Sequence, residues 1–291
     1  MTSPGATYLE RLAARSAAVR TVLCVGLDPD PRSLPEGFPP DVRGIERFCE
    51  VLIDVAVPHA AAVKPNLAFF EAYGAAGLAA LERLRARVPA GVPVVADAKR
   101  GDIGTTASRH ATALFDLLGA DAVTVSPYLG SDAIEPLLAR RDRFAYVLCR
   151  TSNPGAGELQ DLAVPADPST GAPGEPLYLR VARRAATWGP GGTVGLVVGA
   201  TAPAELAAVR AVAPGLAFLV PGVGAQGGDA DAVLADGPAT ASPGGGRPGG
   251  GLLVNVSRGI AGAAAGVPRG AVEQAIAEAA GVWARRLPVL E

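Results

Sequence analysis

Residues 92–102, Val92-Pro-Val-Val-Ala-Asp97-Ala-Lys99-Arg-Gly-Asp102, begin as a short apolar run and end in four charged side chains. Near-continuous apolarity suits a strand buried on both faces, as in a parallel sheet covered by helices. Alternation along an extended chain places Asp97 and Lys99 on one side. In a barrel, that side at the C-terminal end of a strand faces the pocket. Two carboxylates near one ammonium keep it protonated and fix its direction, which is what a proton donor to a nascent carbanion needs. A surface ion pair, the ordinary alternative, contributes little.

Seven further apolar runs flank this one: 22–27, 61–64, 122–125, 144–149, 194–198, 217–220 and 252–255. Amphipathic stretches separate them. Ala107, Ala111, Leu114, Phe115 and Leu118 keep a helical period behind Thr105–Thr106, which read as N-cap residues. Val272, Ala275, Ile276, Ala279 and Trp283 mark a final helix, and an additional helix over 7–19 precedes the first strand. Eight strands alternating with helices predict a single (β/α)8 barrel over 1–291 with an extra N-terminal helix. A doubly wound open sheet is the alternative. Residues 151–176 follow the fifth strand and are expected to form an active-site loop on the C-terminal face. Residues 236–251 (DGPATASPGGGRPGGG) precede the eighth strand, fall on the opposite face, and read as a flexible Gly/Pro-rich insertion without chemistry.

Composition narrows the function. The 291 residues carry 26 Lys+Arg against 28 Asp+Glu, a net charge of −2, so no basic excess offers itself to nucleic acid. No apolar run reaches the roughly 18–20 residues that cross a bilayer, and the N-terminus lacks signal-peptide character. A soluble, cytoplasmic chain is expected. Cys24, Cys49 and Cys149 show no metal-like spacing and read as free thiols, while His59 and His110 are too few for a multi-histidine metal site. Lysine occurs only at Lys64 and Lys99. A chain that spends arginine on its surface has kept its two deprotonatable ammoniums for strand ends.

Other strand ends supply the rest of a rim. Pro221-Gly-Val-Gly-Ala-Gln226-Gly-Gly follows the seventh strand, and Asn255-Val-Ser-Arg258-Gly259 closes the eighth. Glycines let backbone N–H groups approach an anion, Gln226 can donate its amide, and Arg258 can grip phosphate oxygens in a fork. Asp28 and Lys64 can hold vicinal hydroxyls of a ribose, and Ser152 can read a base edge. Asp28-Pro-Asp-Pro is also ordinary turn chemistry, and Thr106 doubles as a helix cap.

With VLCVGLDPD, VKPNLAFFEAYG, VVADAKRGDIGTTA, VTVSPYLG, CRTSNPGAGELQ, VPGVGAQGGD and VNVSRGI in order, the chain resembles the longer bacterial branch of the orotidine 5'-phosphate decarboxylase family. The resemblance implies conversion of orotidine 5'-phosphate to UMP and CO2, the last step of de novo UMP synthesis, with no metal or organic cofactor. It implies Lys99 as proton donor to C6, Asp97 facing the departing CO2, and Asp102 and Thr106 contributed across a homodimer interface. It further implies ribose contacts from Asp28 and Lys64, a pyrimidine contact from Ser152, and phosphate contacts from Gln226 and Arg258. Two alternatives share parts of this pattern. Magnesium-dependent sugar-phosphate decarboxylases and hexulose-phosphate synthases carry the same D-x-K-x-x-D run, but Lys64-Pro65-Asn66 has no carboxylate beside it for such a metal. A non-catalytic barrel that senses UMP-like ligands has no need of Asp97, Lys99 and Asp102 together.

Overall fold

The computed structural model describes residues 5–169, 171, 173–224 and 227–290. Eight parallel strands appear where the apolar runs predicted them: β1 (Leu23–Leu27), β2 (Ala62–Pro65), β3 (Val95–Arg100), β4 (Ala122–Val125), β5 (Phe144–Arg150), β6 (Val194–Val198), β7 (Ala217–Pro221) and β8 (Leu253–Val256). They pair in the order β2-β1-β8-β7-β6-β5-β4-β3. Single bridges Val63–Val94 and Asn66–Asp97 then join β2 to β3 and close the ring. The open-sheet alternative is thereby excluded.

Helices wrap the outside: α1 (Tyr8–Val19), α2 (Val42–Val55), α3 (Gly74–Arg87), α4 (Gly104–Ala111, continuing as a π-helix over Thr112–Leu117), α5 (Glu135–Leu138), α6 (Leu177–Ala185), α7 (Pro203–Val212), α8 (Ala230–Asp236), α9 (Arg258–Ala261) and α10 (Val272–Arg286). The stripe Ala107, Ala111, Leu114, Phe115 and Leu118 is buried as its period required. The cap is different. Thr105 and Thr106 lie inside the first turn of α4, Ile103 occupies the N-cap, and no side chain caps it. Thr106 is exposed there.

α1 begins with a capping box in which Thr7 and Glu10 satisfy each other's backbone N–H groups. Unlike the helices of the outer ring, it plugs the N-terminal end of the barrel. Tyr8, Leu9 and Leu12 pack with the inward layer Cys24, Ala62, Val95, Ala122, Tyr146, Val197, Leu219 and Leu253. Buried Tyr8 and Tyr146 satisfy each other through their hydroxyls at 3.1 Å.

The glycine-rich stretch 236–251, read as a flexible insertion, packs against this same end. Ala239 N–H donates to Gly250 O at 2.9 Å, Thr240 N–H to Pro214 O at 2.9 Å and Gly244 N–H to Gly215 O at 3.0 Å. Gly249, Gly250 and Gly251 are buried. Arg210, 6% exposed, ties the segment down. Its guanidinium stacks 3.6 Å from the Phe218 centroid. It donates to Ala213 O and Leu216 O at 2.8 Å, and to Gly237 O. Burial lowers its pKa to about 10, still far above neutrality. Arg210→Ala strands several carbonyls at once and opens a void, so it is expected to cost about 3 kcal/mol of unfolding free energy in a denaturant titration. A loss below about 0.5 kcal/mol contradicts this account.

Candidate active site

Period two carries the inward layer upward to the barrel mouth. Lys64 follows Ala62, Asp97 follows Val95, Thr124 follows Ala122 and Asn255 follows Leu253, each two residues on and therefore on the same face. The apolar interior thus becomes polar in one step at the C-terminal ends of β2, β3, β4 and β8. Of these four, only Lys64 and Asp97 were singled out from sequence. Thr124 and Asn255 were legible by the same rule, as lone polar residues in phase with apolar ones.

The ion pairs run in a row. Lys64 Nζ donates to Asp97 Oδ2 at 2.6 Å, and Lys99 Nζ donates to Asp97 Oδ1 at 2.6 Å. Asp28 stands on the far side of Lys64 and acts on it electrostatically. Signs therefore alternate from Asp28 through Lys64 and Asp97 to Lys99. The sequence reading set two carboxylates around one ammonium; the structure sets two ammoniums around one carboxylate. Burial opposes ionisation of Asp97, but Lys64 and Lys99 outweigh it and hold the carboxyl far below the usual carboxylate range. Burial likewise pushes Lys64 towards neutrality, and Asp97 with Asp28 more than reverses this, leaving it a firmer cation than an ordinary lysine.

Lys99 arrives by an unexpected route. Simple alternation does not deliver it: the β3–β4 register shifts between Ala96 and Arg100, and Lys99 has φ of 48°, the left-handed region. A non-glycine residue held there carries strain of order 1–3 kcal/mol, a cost that collects at functional sites. Thr124 fixes the bulge. Its Oγ1 accepts from Ala98 N–H and Lys99 N–H, both at 3.0 Å, and donates to Asp97 Oδ1 at 2.9 Å. One β4 hydroxyl therefore sets both the backbone kink and the carboxylate. The Lys99 side chain is 52% exposed in the single chain, against 11% for Asp97.

A cavity of about 510 Å³ unites Asp28, Lys64, Asp97 and Asn255 with Gly222, Ser257 and Arg258. Among the described residues the Arg258 guanidinium makes no hydrogen bond or ion pair, which leaves a forked cation facing the cavity. Gly222 and Gly224, with φ of 101° and 87°, turn the β7 loop toward it. One indole buttresses both glycine loops. Trp283 Nε1 donates to Gly259 O at 3.1 Å, and a Cβ on Gly224 would lie 2.9 Å from Trp283 Cζ2.

The remaining expected residues sit elsewhere. Asp102 does not meet Lys99 in this chain; its Oδ1 accepts from Ile103 N–H at 2.8 Å. Asp102 and Thr106, like Lys99, are outside the cavity lining. Ser152 follows β5 and is backed by Gly199, whose absent Cβ would lie 2.9 Å from Ser152 Cβ. Gln226 lies outside the described residues. The described residues of 151–176 include a short helix, Gly157–Gln160, and two short strands, Ala163–Val164 and Glu175–Pro176, that pair antiparallel. Gln160 Oε1 accepts from Thr151 N–H at 2.9 Å, and the Glu175 carboxylate accepts from Arg180 at 2.9 Å and Arg183 at 2.8 Å. The segment is therefore anchored at both ends.

Fold and site together define a (β/α)8 barrel with an ion-paired lysine centre and, across the cavity wall, a glycine-lined loop beside the Arg258 cation. The chain belongs to the orotidine 5'-phosphate decarboxylase / HUMPS family, whose model matches residues 21–275. It is 51% identical over 252 residues to an orotidine 5'-phosphate decarboxylase of Roseiflexus castenholzii, covering 86% of this chain and 87% of that one. Among solved structures, Leishmania donovani OMP decarboxylase superposes with a TM-score of 0.76 at 43% identity, covering 94% of this chain and 98% of that one. Leishmania donovani UMP synthase superposes with a TM-score of 0.77 at 45% identity; this chain spans 56% of its length.

Proposed function

We propose that the chain decarboxylates orotidine 5'-phosphate to UMP and CO2, the closing step of pyrimidine nucleotide synthesis. The observation that carries this reading is the Lys64–Asp97 pair lining the same cavity as Arg258, with Lys99 bonded to the same Asp97 carboxylate. Arg258, the glycine loop after β7 and Gln226 hold the phosphate. Asp28 and Lys64 hold the ribose, and Ser152 meets the pyrimidine. The substrate carboxylate then lies against Asp97, where two like charges raise the energy of the bound ground state. The C6–carboxylate bond breaks heterolytically, CO2 leaves, and the electron pair stays on C6. The Lys99 ammonium stabilises that charge, gives it a proton, and regains one from water.

Asp102 and Thr106 are read as contributions to the partner's site in a homodimer. Ile103 is 61% exposed beside Asp102, and Tyr128 (85%) and Leu129 (49%) are exposed on the neighbouring β4 loop, an apolar patch that suits a subunit contact. A partner seated there covers the half-exposed Lys99. Residues 151–176, at the end of β5, act as the active-site loop. No helix among the described residues is long and apolar enough to cross a membrane. Three free, buried cysteines suit a reducing compartment, and the reading places the enzyme in the cytoplasm.

The test is loss of orotidine 5'-phosphate absorbance with purified protein in EDTA. Turnover is expected to be unaffected by the chelator; no turnover defeats the proposal, and turnover restored only by magnesium defeats its metal-free mechanism. Arg258→Ala removes charge-assisted contacts and is expected to weaken UMP binding about 10- to 100-fold. Unchanged UMP affinity overturns the phosphate assignment.

A further inference from the structure

Asn255 is polar, on a central barrel strand, and its side chain has no hydrogen-bond partner among the described residues. It lies on β8 in phase with inward-facing Leu253, between Cys24 of β1 and Pro221 of β7. Only 8% of the residue is exposed. Its Oδ1 is sealed from solvent with no hydrogen bond, and among the described residues the amide nitrogen, the polar atom left to face the cavity, donates to no protein acceptor. A buried carboxamide left unmatched costs stability, and folded chains keep few of them. Such a group facing a cavity is explained by what enters the cavity.

The neighbouring backbone brings a second polar group beside it. A Cβ on Gly26 would lie 2.8 Å from Ser257 Cβ, 3.0 Å from Asn255 Oδ1 and 3.0 Å from Asp28 Oδ2. With no side chain on Gly26, Asn255 and Asp28 close in on the same stretch of β1 backbone and stand side by side in the wall of the cavity that Arg258 and Lys64 also line. A carboxylate accepts only, whereas a carboxamide both donates and accepts. A hydroxyl, being donor and acceptor at once, satisfies both.

We propose that Asn255 is a substrate-binding residue that, with Asp28, contacts a sugar hydroxyl and makes the pocket select a ribonucleotide over its deoxy counterparts. The proposal rests on the nucleotide substrate argued above. It separates Asn255 from a filler role, because a filler at this depth would be bonded to its strand neighbours and would weaken the fold when removed. An unpartnered amide predicts the opposite: Asn255→Leu relieves the ligand-free protein while harming recognition.

The experiment titrates UMP, 2'-deoxy-UMP and 3'-deoxy-UMP into wild type, Asn255→Ala and Asn255→Leu by calorimetry, alongside ligand-free melting curves. Wild type is expected to prefer UMP over at least one deoxy analogue. Both variants should lose about tenfold in UMP affinity but far less for that analogue, so the preference shrinks about tenfold. The melting temperature of Asn255→Leu should equal or exceed that of wild type. Preference retained for both analogues overturns the proposal, whether or not overall affinity falls. Lowered melting of both variants with the preference intact shows Asn255 to be structural. Wild-type protein that binds no UMP overturns the substrate reading along with this one, while UMP binding with unchanged selectivity overturns this one alone.

Discussion

Lys99→Ala is expected to lower kcat by at least about 10⁴-fold while leaving UMP affinity within about threefold of wild type, because the same ammonium supplies charge stabilisation and the proton. UMP carries no charge on C6 for Lys99 to answer, so the product complex loses little. Lys99→Arg separates the two contributions. It keeps a cation near Asp97, but guanidinium does not give up a proton near neutral pH, and its planar fork does not fit a site built around a point charge. Arginine should therefore rescue little of the loss. Stability is a control rather than a worry: the Lys99 side chain is 52% exposed, and Thr124 holds the bulge through backbone N–H groups that alanine retains. Steady-state kinetics with a UMP titration decides the matter. Lys99→Ala turning over at wild-type rate removes Lys99 from the chemistry.

The parts legible in the sequence were those written in side-chain periodicity. Eight apolar runs became eight strands, and the buried stripe of α4 followed its helical period; on α10 Val272, Ile276 and Trp283 are buried as expected, while Ala275 and Ala279 are half-buried and Ala280 takes the inner position. The Lys99 bulge was hidden because its cause is a hydroxyl on the next strand: Thr124 captures two successive N–H groups of β3, and nothing within β3 itself announces it. The same long-range cause hid the Lys64–Asp97 pair, whose partners are 33 residues apart. Packing of 236–251 was illegible for a different reason. Its contacts are backbone hydrogen bonds among glycines and prolines, and composition read as low complexity carries no record of them. Arg210 was covered only by the general reading of arginine as a surface residue; the carbonyls of Ala213, Leu216 and Gly237, brought together by the fold, hold it buried. The charge row itself was half visible, since strand-end lysines and aspartates mark a site without saying which of them pair.

Asp97→Asn tests that pairing through stability as well as catalysis. In the wild type, Asp97 has a depressed pKa, so its contribution is present above the unfolded value of about 3.9 and is lost as pH falls through the lower folded value. Lys64 has a raised pKa, so its contribution is present below the unfolded value of about 10.4 and is lost as pH rises through the higher folded value. Between roughly pH 5 and 9 these two groups give the ligand-free protein a flat profile. Asparagine removes both the charge and the charge-assisted hydrogen bond. Burial, the largest influence on Lys64, is then opposed by Asp28; the nearby Cys24 thiol, its own pKa pushed to about 12 by burial, is uncharged in this range. The Lys64 pKa drops below its ordinary value, the folded state binds fewer protons than the unfolded one, and stability rises with pH. Asp97→Asn should thus lose about 3–5 kcal/mol near pH 7, the cost of an uncompensated buried charge, and recover part of it by about pH 9.5, where wild type has barely begun to fall. Its kcat should also collapse by at least about 10³-fold, since Lys99 loses the carboxylate that aims it. Denaturant titrations at pH 7 and pH 9.5 read the stability half. A variant whose stability is level or falls between them shows that Asp97 does not hold the charge of Lys64, and the alternating row then has no energetic meaning.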